Sequence, residues 1–115
     1  DILRPRIAVW VKAKAYTHEQ FTLEELASSL YTNKTYLSTF IKEEYDMNFR
    51  GWVASLRIDE AKRIMMKEPE KRLQEVAFEC GFSSLAYFSS VFSKSEGISP
   101  SAWQREFSRK TDGEQ

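Results

Sequence analysis

The stretch Leu73–Pro100, LQEVAFECGFSSLAYFSSVFSKSEGISP, decides the fold. Leu73, Val76, Ala77 and Cys80 stand at i, i+3, i+4 and i+7, the spacing of one face of a short helix. Gly81 follows at once, where a left-handed residue ends a helix without a Cβ penalty, and Phe82 is placed to drop into the core. Ser83 or Ser84 can cap the next helix by accepting an orphan backbone N–H. Phe88, Val91, Phe92 and Ser95 form the inner face of that helix, which leaves Leu85, Ala86, Ser89, Ser90 and Ser93 on the outer one. Gly97 ends it, and Ser99-Pro100 restarts a helix with an N-cap followed by a proline at the first helical position. A short helix, a tight turn and a second helix with one free face make a helix-turn-helix, a unit whose second helix fits the major groove of DNA.

The same pattern stands earlier in the chain. Arg4-Pro5 sets a first helix, with Ile7, Trp10, Val11 and Ala15 on one face and an end near Thr17-His18. Thr22-Leu23-Glu24-Glu25 reads as a capping box, and Leu23, Leu26, Ala27 and Leu30 give the next helix its stripe. After a break at Tyr31-Thr32, Asn33 caps a helix running to about Tyr45. Its inner face is Leu37, Phe40, Ile41 and Glu44-Tyr45, and its outer face is Lys34, Thr35, Ser38, Thr39 and Lys42. Leu23, Leu26, Ala27 and Leu30 answer Leu73, Val76, Ala77 and Cys80 at an offset of 50. Beyond the turn the offset grows to 51, where Leu37, Ile41, Asn48 and Trp52 answer Phe88, Phe92, Ser99 and Trp103. A repeat of caps and turns as well as apolar residues predicts two copies of one helix-turn-helix unit.

Between the copies, Phe49 to about Lys67 keeps a helical stripe of Phe49, Trp52, Val53, Leu56, Ala61, Ile64 and Met65. At 1.5 Å per residue this linking helix is on the order of 27 Å long. Asp59, Glu60, Lys62, Arg63 and Lys67 read as its solvated face, while Arg57, among apolar neighbours, is expected to pair with an acid. The chain is therefore all-α, with about seven helices. It divides into a first helix-turn-helix unit over 1–48, a linking helix over 49–68, a second unit over 69–107 and a flexible tail over 108–115.

EVAFECGFSSLAYFSSVFSKSEGISPSAW resembles the C-terminal signature of the AraC/XylS family of bacterial transcription regulators. Val76-Ala77, Gly81-Phe82, Tyr87-Phe88, Phe92 and Gly97-Ile98-Ser99-Pro100 carry the likeness, which extends from about Phe21 to Trp103. The resemblance implies a sequence-specific DNA-binding domain that places two recognition helices in successive major grooves of double-stranded DNA. It also implies an N-terminal sensor or signalling part beyond this fragment, contact with RNA polymerase, activator action and a cytoplasmic location. Carried over residue by residue, its base-facing positions fall on Lys34, Thr35, Ser38 and Thr39, and on Leu85, Ala86, Ser89 and Ser90. Its phosphate-facing positions fall on Asn33, Lys42, Ser83, Ser84 and Lys94. The chain departs from the pattern at Ser93, where lysine is usual, and at Gln104, where arginine is usual.

Composition narrows the alternatives. At 115 residues and 42% hydrophobic content the chain can bury a core. No apolar run approaches a membrane span and no signal peptide is visible. One cysteine staples nothing, and Cys80 reads as a small core residue. The single His18 has no second histidine or cysteine at metal spacing and no glycine loop cradles a phosphate. No enzyme, cofactor or metal is therefore expected. Lys plus Arg and Asp plus Glu are 17 each, so no global basic field draws the chain to DNA. The outer faces also carry short residues, and neither offers an arginine fork for guanine. Weak binding that leans on DNA shape or on a second protein is expected, and the rival reading is a helical protein–protein interaction module.

Overall fold

The computed structural model describes residues 2–18 and 20–113. Among them are seven α-helices and one 3-10 turn: α1 Leu3–Lys12, the turn Ala15–Thr17, α2 Leu23–Ser29, α3 Lys34–Tyr45, α4 Phe49–Lys67, α5 Leu73–Glu79, α6 Leu85–Glu96 and α7 Pro100–Gly113. The chain packs as two compact units, Asp1–Leu56 and Arg57–Gln115, so the linking helix gives its first residues to one core and the rest to the other.

In the first unit, Leu3 and Ile7 of α1, Leu26, Ala27 and Leu30 of the α2 region, Leu37 and Ile41 of α3, and Trp52 and Val53 of α4 form one core. Leu37 and Ile41 are completely enclosed. Removing each such side chain from water stabilises the fold by about 1.5–3 kcal/mol. Trp10 stacks on Trp52 with ring centroids 5.6 Å apart and meets Phe21 edge-on at 5.4 Å. The expected capping box is formed: the Thr22 hydroxyl accepts the Glu25 N–H at 3.0 Å, and the Thr22 N–H donates to the Glu25 carboxylate at 2.9 Å.

In the second unit, Ile58, Ala61, Ile64 and Met65 of α4 meet Val76, Ala77, Cys80, Phe82, Phe88 and Phe92. Phe82, Phe88 and Phe92 form a tilted chain of rings at 5.2 and 5.7 Å, closed by Trp103 of α7 edge-on to Phe92. Gln104 donates to the Lys71 carbonyl at 3.1 Å and ties α7 to the approach to α5.

The two turns are made alike. The Thr32 N–H donates to the Ala27 carbonyl at 2.9 Å, and the Phe82 N–H to the Ala77 carbonyl at 3.0 Å. Gly81 takes the left-handed conformation in one turn, at φ 101°, and Tyr31 takes it in the other, at φ 60°. Glycine adopts this region freely, whereas a tyrosine there is strained.

Several expectations are corrected. Helix α1 ends at Lys12 rather than near Thr17-His18. Lys14 turns left-handed at φ 57°, and the turn after it buries the Tyr16 ring 6.0 Å from Trp10. Glu44 is exposed rather than inward, because both its carboxylate oxygens accept from the Arg4 guanidinium. Tyr45 stays 40% exposed, stacked flat on Trp52. Ser95 is likewise exposed, its hydroxyl donating to the neighbouring Glu96 at 2.8 Å. Glu60, expected on the solvated face, is buried, and Arg63 one turn on grips it with two N–H donors at 2.8 and 2.9 Å. Apart from these corrections, the Arg57 guanidinium lies 6.0 Å over the Phe82 ring. The tail expected over 108–115 is helical as far as Gly113, since no proline or glycine interrupts 101–112 and its Gln, Arg, Glu and Lys favour helix. Residues 114 and 115 lie outside the described residues.

Two outcomes follow from this packing. Gly81→Ala forces a Cβ into a left-handed position and is expected to lower unfolding stability by about 1–2 kcal/mol, measured by urea denaturation. Cys80 is fully enclosed and burial, the main cause, pushes its thiol up to about 12. In the native protein it should resist iodoacetamide at neutral pH, reacting only as fast as the fold opens, which mass spectrometry of the alkylated fraction reads directly.

Candidate nucleic-acid interface

Both units present a capped helix with one free face. Asn33 begins α3: its side-chain oxygen accepts the Tyr36 N–H at 2.8 Å. Ser84, rather than Ser83, begins α6, and its hydroxyl oxygen accepts the Tyr87 N–H at 3.1 Å. Each cap keeps donor hydrogens after this bond, the amide N–H groups of Asn33 and the hydroxyl of Ser84. These lie at the positive end of a helix, where an anion is favoured. At the far ends, Asp46 and Gly97 are both left-handed, at φ 56° and 83°, and their N–H groups close on Lys42 and Ser93 carbonyls at 2.9 and 2.8 Å.

On α3, Leu37 and Ile41 face the core, which leaves Lys34, Thr35, Ser38, Thr39 and Lys42 exposed together with the cap Asn33. Lys34 lies 3.8 Å from Glu24 of α2, and Lys42 lies 3.2 Å from Asp46 one turn on. Exposed pairs of this kind are worth about 0–1 kcal/mol, too little to hold either ammonium against a phosphate. On α6, Phe88 and Phe92 face the core. Leu85, Ala86, Ser90, Ser83 and Lys94 are exposed, while Ser89 and Ser84 are half-buried. The residues singled out from sequence thus fall on one helix and its cap in each unit. The first set is polar with two cations. The second is nearly uncharged, with Lys94 in its last turn.

Two large side chains share these helices and were assigned no place at the interface from sequence. Tyr36 and Tyr87, each the third residue of its helix, are 53% and 42% exposed. The Tyr87 ring stands edge-on to Phe82 at 5.7 Å. Tyr36 lines a shallow groove of about 350 Å³ with Ile2, Leu3, Arg6, Tyr31 and Thr32. The signal for them was the offset of 51 that already joined Leu37 to Phe88, extended back by one residue.

Among the described residues, no group of three His, Cys, Asp or Glu side chains could hold a metal ion, and no helix is long and apolar enough to cross a membrane. A twice-repeated unit of two short-linked helices, each copy exposing its capped second helix, defines a tandem helix-turn-helix protein. A family model described as a helix-turn-helix domain matches residues 26–106, and the chain belongs to this AraC-type family of transcription-regulator domains. It is 33% identical over 90 residues to the HTH-type transcriptional regulator YobQ of Bacillus subtilis, covering 75% of this chain and 37% of that protein. It is 28% identical over 85 residues to the transcriptional activator RhaR of Klebsiella pneumoniae, covering 74% of this chain and 30% of that one. The chain thus spans about a third of the length of these curated relatives. Its fold matches the DNA-binding domain of the transcriptional factor AdpA, solved with a target DNA, with a TM-score of 0.81 over 96% of both chains at 24% identity. It also matches the C-terminal domain of AraT, a response regulator from Geobacillus stearothermophilus, with a TM-score of 0.79 and 28% identity over 91% of this chain and 84% of that one.

The caps can be tested apart from any ligand. Asn33→Ala and Ser84→Ala each leave an orphan N–H at a helix start and should lower unfolding stability by about 1 kcal/mol in urea titrations.

Proposed function

We propose that this chain binds double-stranded DNA through α3 and α6, each entering a major groove, as the DNA-binding part of a bacterial transcription regulator acting in the cytoplasm. The observation that carries the reading is the repeated, capped and outward-facing second helix in both units of an AraC-type domain. On this reading Lys34, Thr35, Ser38 and Thr39 face bases from α3. Leu85 and Ala86 pack on thymine methyl groups, with Ser89 and Ser90 offering short hydroxyls. Asn33, Lys42, Ser83, Ser84 and Lys94 face phosphates. Contact with RNA polymerase and a signal-receiving N-terminal part belong to the same reading. What supports the further part is the greater length of the regulators this chain resembles, and the polymerase contact follows from the family resemblance alone.

Short side chains discriminate weakly among bases. A bidentate arginine–guanine contact supplies about 1–3 kcal/mol of selectivity, and neither exposed helix face has one to offer. Selectivity then depends on DNA shape and on paired half-sites rather than on a few strong base contacts.

Enrichment of binding sites from random duplex DNA by this chain tests the reading. Paired half-sites about one helical turn apart are the expected product. Binding to the enriched duplex should weaken steeply with salt, by about 0.9 in log–log slope for each phosphate neutralised. Lys42→Ala should lower that slope by about one such step while leaving base preference unchanged. No enrichment, or binding indifferent to salt, would leave the two outer faces to a protein partner instead.

A further inference from the structure

The repeat reaches further back than the helix-turn-helix units. Arg6-Ile7 and Arg57-Ile58 stand at the same offset of 51 that relates α3 to α6. Ile7 and Ile58 are each 2% exposed, anchoring the two helices to their cores in the same register. Each arginine is then held against the turn of its own unit. The Arg6 guanidinium lies 5.5 Å over the Tyr31 ring and donates to the Leu30 carbonyl at 2.8 Å. The Arg57 guanidinium lies 6.0 Å over the Phe82 ring. Tyr87 and Cys80 are close enough to act on its charge, although burial is the larger influence and draws its pKa down. Tyr31 and Phe82 are themselves 51 residues apart, as are Tyr36 and Tyr87. Each unit therefore holds one arginine and one exposed tyrosine at matching sequence places, whereas the turn aromatics differ: Tyr31 is 85% exposed and stands where the other turn has Gly81, and Phe82 is 2% exposed and stands where the first turn has Thr32.

From this match we infer that Arg6 and Tyr36, and equally Arg57 and Tyr87, are two copies of one seat for the DNA sugar–phosphate backbone, flanking the helix that enters the groove. The inference rests on the DNA-binding reading above. The tyrosines stand on the first turn of α3 and α6, next to the caps Asn33 and Ser84, where the helix end is positive. At about 100° per residue they stand about 60° round the helix from Thr39 and Ser90 but about 100° or more from Thr35 and Ser38, or from Ala86 and Ser89, so they border the base-facing side instead of lying at its centre. That puts them at the groove wall. A tyrosine has an apolar ring that suits a sugar and a hydroxyl that donates to a phosphate oxygen. The arginine behind supplies the complementary charge, and its guanidinium has N–H donors beyond the one spent on Leu30. In the first unit the groove of about 350 Å³ between Ile2, Leu3, Arg6, Tyr31, Thr32 and Tyr36 is the opening through which a backbone segment would settle.

The test uses the whole chain, the duplex it enriches from random DNA, and a mixed-sequence duplex. Tyr36→Phe and Tyr87→Phe remove only the hydroxyl of a partly exposed ring and keep its packing, and a urea titration of each variant checks that folding is preserved. Each should weaken binding by about threefold to tenfold, and by the same factor on both duplexes, because phosphates carry no sequence. A scan with single neutral methylphosphonates should find positions that weaken the parent protein and leave the matching phenylalanine variant unaffected. Arg6→Gln should lower the salt slope by about 0.9. Phenylalanine variants that bind like the parent on every backbone overturn the proposal, while parental binding leaves the DNA reading intact. An unchanged salt slope with a lowered melting temperature for Arg6→Gln makes that arginine a clamp of the turn alone and also overturns it. Absence of any binding by the parent protein defeats the DNA reading itself, a distinct result.

Discussion

Two alanine positions govern the rest of the structure. Ala27 of α2 and Ala77 of α5 are 1% and 0% exposed, in the same cores as Leu37 and Ile41 of α3 and Phe88 and Phe92 of α6. Their carbonyls also accept the N–H that folds the chain back, from Thr32 and Phe82. A larger side chain there would drive the two helices apart and break that hydrogen bond with the same displacement. The cost would be felt at Leu37 and Ile41, or at Phe88 and Phe92, each worth about 1.5–3 kcal/mol when enclosed. A helix cap contributes about 1 kcal/mol. Packing in these cores therefore sets where α3 and α6 lie, and the caps settle only where they begin.

The two copies meet that demand with different residues. The second turn uses Gly81, for which a left-handed backbone is unstrained. The first uses Tyr31, at a strain of about 1–2 kcal/mol. Arg6 offsets part of this by capping the Leu30 carbonyl and lying over the Tyr31 ring. The capping box of α2 has no counterpart on α5, where Arg72 stands at the cap without a side-chain bond. Cooperative ring packing of Phe82, Phe88, Phe92 and Trp103 takes up that role in the second unit. The repeat is thus one of geometry, and the sequence is free wherever another interaction can hold that geometry.

This explains what could be read beforehand. Gly81, Gly97, Thr22-Glu25, Asn33 and Ser99 act through their own backbone neighbourhood, so their spacing alone located the turns and helix starts. Leu26, Leu37, Phe88 and Phe92 were legible because a helical period admits one inner face. Lys14 was not, because nothing local marks it for a left-handed turn; the burial of Tyr16 against Trp10 decides it. Glu44 and Ser95 sit near an apolar stripe by period yet turn outward, since Arg4 and Glu96 supply polar partners at the surface. Glu60 goes the other way, tolerated inside because Arg63 reaches it with two donors. Each miss is a side chain whose place depends on a partner that helical spacing alone does not name. In the candidate interface the same division holds: the outer faces followed from periodicity, whereas Tyr36 and Tyr87 needed measured exposure to separate them from the core they adjoin.

The charge of the chain completes the physical picture. With 17 basic and 17 acidic side chains there is no net field, so any attraction to a polyanion must come from where cations stand. Within the second unit four acids are engaged by cations: Glu60 by Arg63, Glu96 by Lys62, and Glu68 and Glu79 by Lys71, whose ammonium is stabilised chiefly by its bond to Glu79. Around α3 the pairs of Lys34 with Glu24 and Lys42 with Asp46 are exposed and weak, and therefore exchangeable. Acids engaged inside a unit oppose a nearby phosphate less than exposed ones, and lysines in loose pairs lose little on changing partner. A neutral protein built this way meets a polyanion with locally available cations, and its binding has to fade as added salt supplies competing ions.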